Sequence, residues 1–558
     1  MAGKIEIIPL GGIGEFGMNA MGIRYVPETG DAEMILADIG MGFPEETPYG
    51  VDVAVPNLDF LEDYRDELHA VILTHGHEDH LGALPYLLKK FNLPVYASRF
   101  TLGLAERKLE EHGLMDDILL HRVKANDRVT LGFFTVEFIH ASHSLIDCFS
   151  LAIKTPVGTL IHTGDYKIDD KPVIGKPYDL ETLGKYGDEG VLALLSDSTN
   201  ATVPGRTPSE SDVIPALEDI FGQAPGRLIV TTFSSSIHRL QVVLDLAASY
   251  DRKVCVLGRS MLRNVEIASD MGFLRAREGL LIDLSEARQL DGDEIVYLVT
   301  GSQAETRAVM MQMATQGYKG LVVEPGDTVV ISARIIPGNE RGISKMIGHI
   351  YKSGGNIIEE KRRQVHVSGH ASQEDIRIMT ETVRPKFVVP IHGEYRMLFR
   401  HKEFVKNHLG YAEENVILIE NGDVLELTAN TARVIDRIEM KRVFIDESGF
   451  EEIALETVRE RKKLAYDGVV SLVVTLDSKT KDLLADPIIL MQGVAGLDPL
   501  NGLVTQARET VREAVSKLTR ADINDTAGLK ETLRIALKRF IQKETGTKPV
   551  IIPTIVEV

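Results

Sequence analysis

What this chain has little of narrows what it can be. Only two cysteines occur, Cys148 and Cys255, each inside an apolar run ("DCFSLAI" and "KVCVLG"), which reads as a buried thiol and not as half of a disulfide or a thiolate metal site. No apolar run approaches the roughly 18 residues of a membrane-spanning helix. The opening "MAGKIEIIPLGG" also lacks the long apolar stretch and cleavage site of a signal peptide. The expectation is a cytoplasmic protein without membrane contact. Positive charge is short as well: 62 Lys and Arg against 82 Asp and Glu give a formal net charge of -20. A general nucleic-acid coat needs the opposite excess, because non-specific binding is carried by contacts to phosphate. An enzyme with a local basic channel remains open, and residues 360–366, "EKRRQVH", form a short basic cluster, although such a run is ordinarily a solvated edge. Internal repeats and low-complexity segments are absent.

What is there is an alternation of apolar runs and polar turns. At 558 residues, 44% of them hydrophobic, the chain has an ordinary globular composition and a length that points to two to four domains. Through about the first 200 residues strand-like runs dominate, among them "KIEIIPL", "EMILADIG", "AVILTH", "FTVEFIHAS", "GTLIHTGD" and "VLALLSDS". Several end in His or Asp, and residues at strand ends are how stacked sheets gather a site on one rim. From about Thr207 helix and strand alternate ("SDVIPALEDIFG", "RLIVTTFSSS", "HRLQVVLDLAASY", "EIVYLVTGSQ"), which predicts parallel βαβ units in an inserted α/β domain. Near His366 the earlier style returns, in "RQVHVSGHASQED" and "KFVVPIHGEYRM". After Val443 a charged segment reads as a linker helix, and beyond it lies a small α+β tail: two strand-like runs, two helices and "KPVIIPTIVEV". In the second of those helices Leu529, Leu533, Ala536, Leu537 and Phe540 share one apolar face, which reads as core.

One motif misleads. Residues 12–17, "GIGEFG", match the glycine fingerprint of dinucleotide-binding folds, but that fingerprint needs a helix directly after the glycines. Here "NAMGIRYVPETGDAEMILADIG" reads as strand, turn, strand, so a glycine turn beside an active site is the better reading.

The chemistry is concentrated in "VILTHGHEDHLGALP", where His75, His77, Asp79 and His80 fall within six positions directly after an apolar run. On a loop between strand and helix, residues 75 and 77 can point one way and residues 79 and 80 the other, so that two metals share one loop. Zinc takes about four N or O ligands, so two ions need further donors from other strand ends. "FIHASHS" offers His140 and His143, "LIHTGD" offers His162 and Asp165, and "VVPIHGE" offers His392. Within each pair the loop residue, His143 or Asp165, is the better ligand, and the one embedded in the apolar run reads as structural.

These residues resemble the signature of the metallo-β-lactamase superfamily, with Asp38 at its first motif, "HGHEDH" at its second, His143 at its third and Asp165 at its fourth. The resemblance implies an αββα sandwich with His75, His77 and His143 on one metal, Asp79, His80 and His392 on the other, Asp165 bridging, and Asp38 orienting the loop from behind. The chain is further similar to the β-CASP nucleases, whose extra motifs match Asp197 in "LLSDSTNA", His370 in "VSGHASQED" and His392 in "VVPIHGEY". The opening "PLGGIGEFGMNA" and the tail resemble the bacterial ribonuclease J family over essentially the full length. The implied architecture is a metallo-β-lactamase domain in two parts (1–207 and 366–447), an inserted β-CASP α/β domain (208–365), a linker (448–466) and a small C-terminal α+β domain (467–558).

The residues themselves fit that chemistry. Two divalent ions about 3.5–4 Å apart lower the pKa of a shared water and neutralise charge building on a phosphodiester. Zinc is the first expectation, with manganese or magnesium as further candidates. Asp79 is assigned to orient or deprotonate the water, and His370, held by Asp197, to assist the leaving oxygen. Two Ser-rich turns, each leading into a helix, offer an anion site for a terminal phosphate made by Ser234, Ser235, His370, Ala371 and Ser372. The expected activity is 5′-to-3′ removal of nucleotides from single-stranded RNA with a preference for 5′-monophosphate ends, plus internal cutting, in RNA processing and decay. A homodimer or homotetramer built through the tail is expected, with other RNA-decay proteins as candidate partners. Two alternatives stay open: a hydrolase of small esters or lactones, which would need neither the insertion nor His370, and a catalytically silent RNA-binding scaffold, which could dispense with ligands that this chain retains.

Overall fold

The runs ending in His and Asp become two sheets that face each other. In a computed structural model of the chain, which describes residues 3–42, 51–115, 118–336, 338–446, 452–494 and 502–558, the first sheet has eight strands. They run in the order Ala432–Arg437, Asp423–Leu427, Lys4–Gly11, Ala20–Val26, Glu33–Ile39, Leu68–Ile72, Val95–Ala97 and Leu120–Arg122. The second has six, ordered Phe387–Ile391, Ala193–Asp197, Thr159–His162, Cys148–Lys154, Phe134–Ala141 and Arg128–Leu131. Alternate residues of each strand point inward, so Ile5, Ile7, Ile23 and Ile35 of the first sheet share one buried core with Phe138, Leu151, Leu195 and Val389 of the second. The opposite face of the second sheet, with Ile161, Leu194 and Val388, is covered by Leu183 and Tyr186 of helix Leu180–Glu189 and by Ile376, Met379 and Val383 of helix Gln373–Val383.

The insert leaves and re-enters this sandwich between neighbours. Strands Ala193–Asp197 and Phe387–Ile391 pair in parallel with Asp197 opposite Ile391, although the insert separates them in sequence. Within the insert five strands, Lys253–Leu257, Ile295–Val299, Leu228–Thr231, Thr328–Ile331 and Asn356–Glu359, form a wholly parallel sheet. Runs such as "IVYLV" are buried along their whole length, as both faces of a parallel sheet require. The glycine fingerprint leads to no helix: Ile13–Gly14 is a short strand and Ala20–Val26 a longer one, while Gly12, Gly14 and Gly17 take φ of +83°, +80° and +81°, a region that L side chains rarely adopt.

Contacts divide the chain into two units, Met1–Glu45 with Val53–Arg442, and Glu46–Asp52 with Val443–Val558. The domain boundary expected at 447/448 lies outside the described residues. In the second unit helix Leu455–Asp467, at the place of the expected linker, has no buried residue. Strand Val469–Leu476 pairs with Ile488–Gln492 antiparallel and with Val550–Glu557 in parallel. The tail carries a short third helix, Arg520–Asn524, beyond the two expected. The buried ladder of helix Thr526–Thr545 is Leu529, Leu533, Leu537 and Ile541, a spacing of four that leaves Ala536 and Phe540 at its margin. Leu533 is fully buried in the tail's core, so Leu533→Ala is expected to destabilise that unit by about 2–5 kcal/mol. Denaturant unfolding followed by hydrogen exchange in residues 469–558 checks it, and unchanged protection there would contradict the packing described.

Candidate metal centre

The site is assembled by strand direction. Strands Phe134–Ala141, Thr159–His162, Ala193–Asp197 and Phe387–Ile391 run the same way, because the two antiparallel steps through Cys148–Lys154 cancel. Their C-terminal ends therefore deliver His143, Asp165, Asp197 and His392 to one rim. In the facing sheet Glu33–Ile39 and Leu68–Ile72 are parallel neighbours, and their ends deliver Asp38 and the loop 74–80. His77 is the last extended residue before the short helix Glu78–Leu81, so the backbone changes direction between His77 and Asp79.

Three groups of potential ligand atoms result, His75, His77, His143 and Asp165; Asp79, His80, Asp165 and His392; and Asp165, Asp197, His370 and His392, with the atoms of each within 4.8 Å of one another. Asp165 is common to all three. In the first group His77 Nδ1 lies 3.0 Å from His75 Nε2 and 3.1 Å from His143 Nε2. One ring nitrogen cannot hydrogen-bond well to both, whereas ligands of a tetrahedral zinc, each about 2.0–2.1 Å from the ion, lie roughly 3.3 Å apart. In the second group His392 Nε2 is 3.4 Å from Asp79 Oδ2 and 3.5 Å from Asp165 Oδ2. Asp165 is 3% exposed, yet its Oδ1 makes no hydrogen bond, although His80 Nε2 is 3.2 Å away. An orphaned carboxylate oxygen facing converging imidazoles fits divalent cations.

Protonation follows the same logic. Burial pushes His75 and His143 well below the usual imidazole range and His77 down to about 4, which leaves these rings neutral and able to offer a lone pair. Burial would do the same to His80 and His392, but Asp165 and the other surrounding carboxylates overcome it and hold both rings well above that range. The carboxyls respond in kind. Burial acts to raise Asp79, Asp165 and Asp197, and the facing histidines reverse it and hold all three below the usual carboxylate range.

Most of the histidines are also gripped from behind. The nitrogen turned away from the centre meets Thr74 Oγ1 at 3.0 Å for His75, Asp38 Oδ2 at 2.8 Å for His80, Gly369 O at 2.7 Å for His143, and Thr199 Oγ1 at 2.5 Å for His392. Such contacts fix tautomer and orientation. Asp38 also accepts from Thr74 N–H (2.7 Å) and Thr74 Oγ1–H (2.8 Å), tying the ends of two parallel strands together. Both Asp38 (φ +59°) and His392 (φ +57°) are held in the left-handed region, a strain of the kind found at functional sites. His370, on the segment that returns from the insert, meets Asp197 Oδ2 through Nδ1 at 2.8 Å, and its ring lies 5.0 Å from that of His143 and 5.3 Å from that of His392.

Comparison with known proteins follows the same order along the chain. Residues 38–238 match the metallo-beta-lactamase superfamily, 225–350 the ribonuclease J beta-CASP domain, 357–418 a Zn-dependent metallo-hydrolase RNA specificity domain and 456–558 the ribonuclease J C-terminal domain. The chain is 40% identical over 558 residues to ribonuclease J of Synechocystis sp., covering 98% of this chain and 86% of that protein. It is 35% identical to ribonuclease J2 of Bacillus subtilis, covering 100% of this chain and 99% of that protein. The chain belongs to the ribonuclease J family. A solved structure of a protein of unknown function from Enterococcus faecalis, 15% identical with a TM-score of 0.52, covers 76% of this chain and all of that one, and shares the fold alone. Membership of the ribonuclease J family makes the chain a metal-dependent ribonuclease, with a metallo-β-lactamase domain, a β-CASP insert and a C-terminal domain. No helix among the described residues is long and apolar enough to cross a membrane.

The structure also brings in residues that the sequence did not single out. Asn19 closes the glycine stretch, and its Nδ2 lies 3.1 Å from both Asp79 Oδ2 and His80 Nε2, so the misleading fingerprint serves to seat Asn19 against the metal loop. Thr74 and Thr199 are likewise missed, being ordinary residues whose roles depend on Asp38 and His392, distant from them in sequence. His140 and His162 belong to none of the ligand groups: His140 Nε2 lies 2.9 Å from Lys176 O, and His162, pushed by burial to about 4, accepts from Gly164 N–H at 3.0 Å. Of the two Ser turns, Ser234 and Ser235 precede helix Ile237–Ser249, and their hydroxyls make no hydrogen bond among the described residues. Ser372 is already committed as the cap of Gln373–Val383. Its N–H meets Thr207 Oγ1 and Asp375 Oδ2, both at 3.1 Å, so it is not free for an anion. Ala371 is buried beside it.

Gly40 shows how tightly the loop is seated, because a Cβ there would lie 1.7 Å from Asp79 O. Gly40→Ala is therefore expected to displace the 78–80 turn and to lower bound metal below that of the unsubstituted protein. Elemental analysis of the purified variant tests this, and a full metal load with an unchanged melting temperature would contradict it.

Proposed function

We propose that this chain hydrolyses single-stranded RNA from its 5′ end, with a preference for 5′-monophosphate ends, and also cuts internally. His75, His77 and His143 would hold one divalent ion, Asp79, His80 and His392 the other, and Asp165 both; zinc is the metal proposed, with manganese or magnesium as further candidates. When bound, such a pair would lower the pKa of a water and neutralise charge on the phosphodiester. Asp79, with one oxygen held by Asn19, orients that water or takes its proton. Asp38 keeps the loop in place. His370, anchored through Nδ1 by Asp197, keeps Nε2 for the leaving oxygen as hydrogen-bond donor or general acid. The Asp197–His370 contact, on a segment returned by the insert to the metal rim, is the observation that most supports a phosphodiester substrate over a small ester. The domain divisions 1–207, 208–365, 366–447, 448–466 and 467–558 go with this reading, as do a homodimer or homotetramer, RNA-decay partners and a cytoplasmic location.

A second reading has its own support. Asp165, Asp197, His370 and His392 also place ligand atoms within 4.8 Å of one another, so His370 could serve as a ligand. The two readings separate in His370→Ala. A leaving-group role keeps both metals and lowers the rate about 10²–10⁴-fold, whereas a ligand role loses metal in step with activity. Metal analysis beside single-turnover cleavage of a labelled RNA decides between them.

For the terminal phosphate, the open hydroxyls of Ser234 and Ser235 and the backbone N–H of Ala371 are the donors proposed, while His370, whose own N–H donates to Ser368 Oγ at 3.2 Å, and Ser372, as helix cap, shape the turn. A 5′-hydroxyl end would leave those donors without a partner. Degradation from 5′-monophosphate ends is expected to outpace that from 5′-hydroxyl ends. Ser235→Glu is expected to lose 5′-end degradation and retain internal cleavage. Equal rates on both ends, measured on one RNA prepared with each, would remove the pocket from the reading.

A further inference from the structure

A second cluster of buried charge lies where the insert meets the metal-bearing sheets. Lys167 is 0% exposed, Arg239 1%, and Asp169 and Glu210 2%. Lys167 Nζ donates to Glu210 Oε1 at 3.0 Å and to Pro208 O at 3.2 Å, and Glu210 Oε2 accepts from Arg239 Nη2 at 3.0 Å. The other end of the Arg239 fork donates through Nη1 to Ser332 Oγ and to Val365 O (2.6 Å), while Ser332 Oγ–H donates to the same carbonyl at 2.6 Å. Glu210 N–H in turn donates to Asp169 Oδ2 at 2.9 Å.

What these residues join matters more than their charge. Lys167 stands two residues beyond Asp165, and its N–H donates to Ser142 O at 2.8 Å, next to His143. Arg239 lies on helix Ile237–Ser249, Ser332 follows strand Thr328–Ile331, and Val365 opens the segment that runs to His370. The far end of that segment is held by Thr207 Oγ1, which donates to His370 O at 2.7 Å, and by Asn200 Nδ2, which donates to the same oxygen at 3.1 Å. Its near end is held by Arg239 and Ser332. A planar guanidinium satisfies a carboxylate, a hydroxyl and a carbonyl at fixed angles, which a lysine ammonium cannot reproduce. Buried ion pairs contribute little net stability and are best used to select one arrangement.

We infer that Arg239 is a positioning residue for His370: through Val365 it sets where the returning segment lies, and through Glu210 and Lys167 it references that segment to the strand ends carrying Asp165 and His143. The inference rests on the proposed role of His370 and adds a residue remote from the reacting atoms. A misplacement of about 1 Å at a reacting group costs on the order of 10²-fold in rate, so a lost anchor acts on kcat while the metals stay bound.

The experiment is a double-mutant cycle on the full chain with metals bound, reading kcat, KM, metal content and melting temperature for cleavage of a 5′-monophosphorylated single-stranded RNA. Arg239→Met is expected to lower kcat about 10–100-fold with metal content and KM little changed, and Arg239→Lys to recover only part of the loss. In a His370→Ala background the same Arg239→Met change is expected to cost less than about 2-fold, because there is no longer a histidine to misplace. Ser332→Ala, which removes one hydroxyl, provides a milder break of the same anchor should Arg239→Met fail to fold, and the same loss of effect in the His370→Ala background is expected. An equal loss with and without His370 overturns the inference and leaves Arg239 as scaffold, while the role of His370 stands. If His370→Ala by itself turns over at nearly the normal rate, the role of His370 falls, and the inference falls with it.

Discussion

A buried carboxylate with an oxygen that finds no hydrogen bond is the constraint around which this molecule is arranged. Asp165 is almost wholly buried, shared by three groups of candidate ligands and unsatisfied at Oδ1. In a low-dielectric interior such a group is tolerated only beside positive charge. Burial keeps His75, His77 and His143 neutral, so among the histidines that charge falls to His80 and His392, which the carboxylates hold well above the usual imidazole range. Two divalent cations would satisfy the carboxylate and the convergent lone pairs together, and the two facing sheets can be read as the means of bringing those donors to one rim.

Placing the donors is only half of the problem, because imidazoles rotate. The contacts behind them remove that freedom, and they come from residues whose identity is chemically modest: Thr74, Thr199, the carbonyl of Gly369, and Asp38. Asp38 and His392 are held at positive φ, and a non-glycine residue stays there only when surrounding bonds over-determine it. Each of the two strained residues is held by several polar contacts. Asp38 makes three, and His392 is reached from Thr199, Asp197 and Asp79.

The same distinction explains what could be read in advance. His75, His77, Asp79 and His80 were legible because the loop concentrates them in six positions, and parallel strands of the insert because short unbroken apolar runs such as "IVYLV" alternate there with helical patterns. His143 and Asp165 could be preferred to His140 and His162 as ligands because a loop position leaves a side chain free to converge. Asn19 was hidden just beyond a glycine motif with a better-known meaning. Thr199 and Arg239 were hidden because nothing local marks a threonine whose partner is 193 residues away, or an arginine bonded to a carbonyl 126 residues away. Ser372 carries the opposite lesson, since Ser followed three residues later by Asp375 is a capping box as readily as an anion site, and the helix took it.

A net charge of -20 on a protein that acts on a polyanion becomes intelligible at this scale. Repulsion between separated surface charges is screened over about 8–10 Å at physiological ionic strength. The acidic surface therefore governs solubility and non-specific contact, and it disfavours coating of RNA. What attracts the scissile phosphate must act within a few ångströms of it, and the groups gathered there are those suited to hold cations, with His370 beside them. Because strands Ala193–Asp197 and Phe387–Ile391 are adjacent, a long insert can leave one strand end and return to the next without disturbing the sheet. The segment returning from the insert thereby brings His370 to the metal rim, where its Nδ1 meets Asp197 Oδ2 at 2.8 Å.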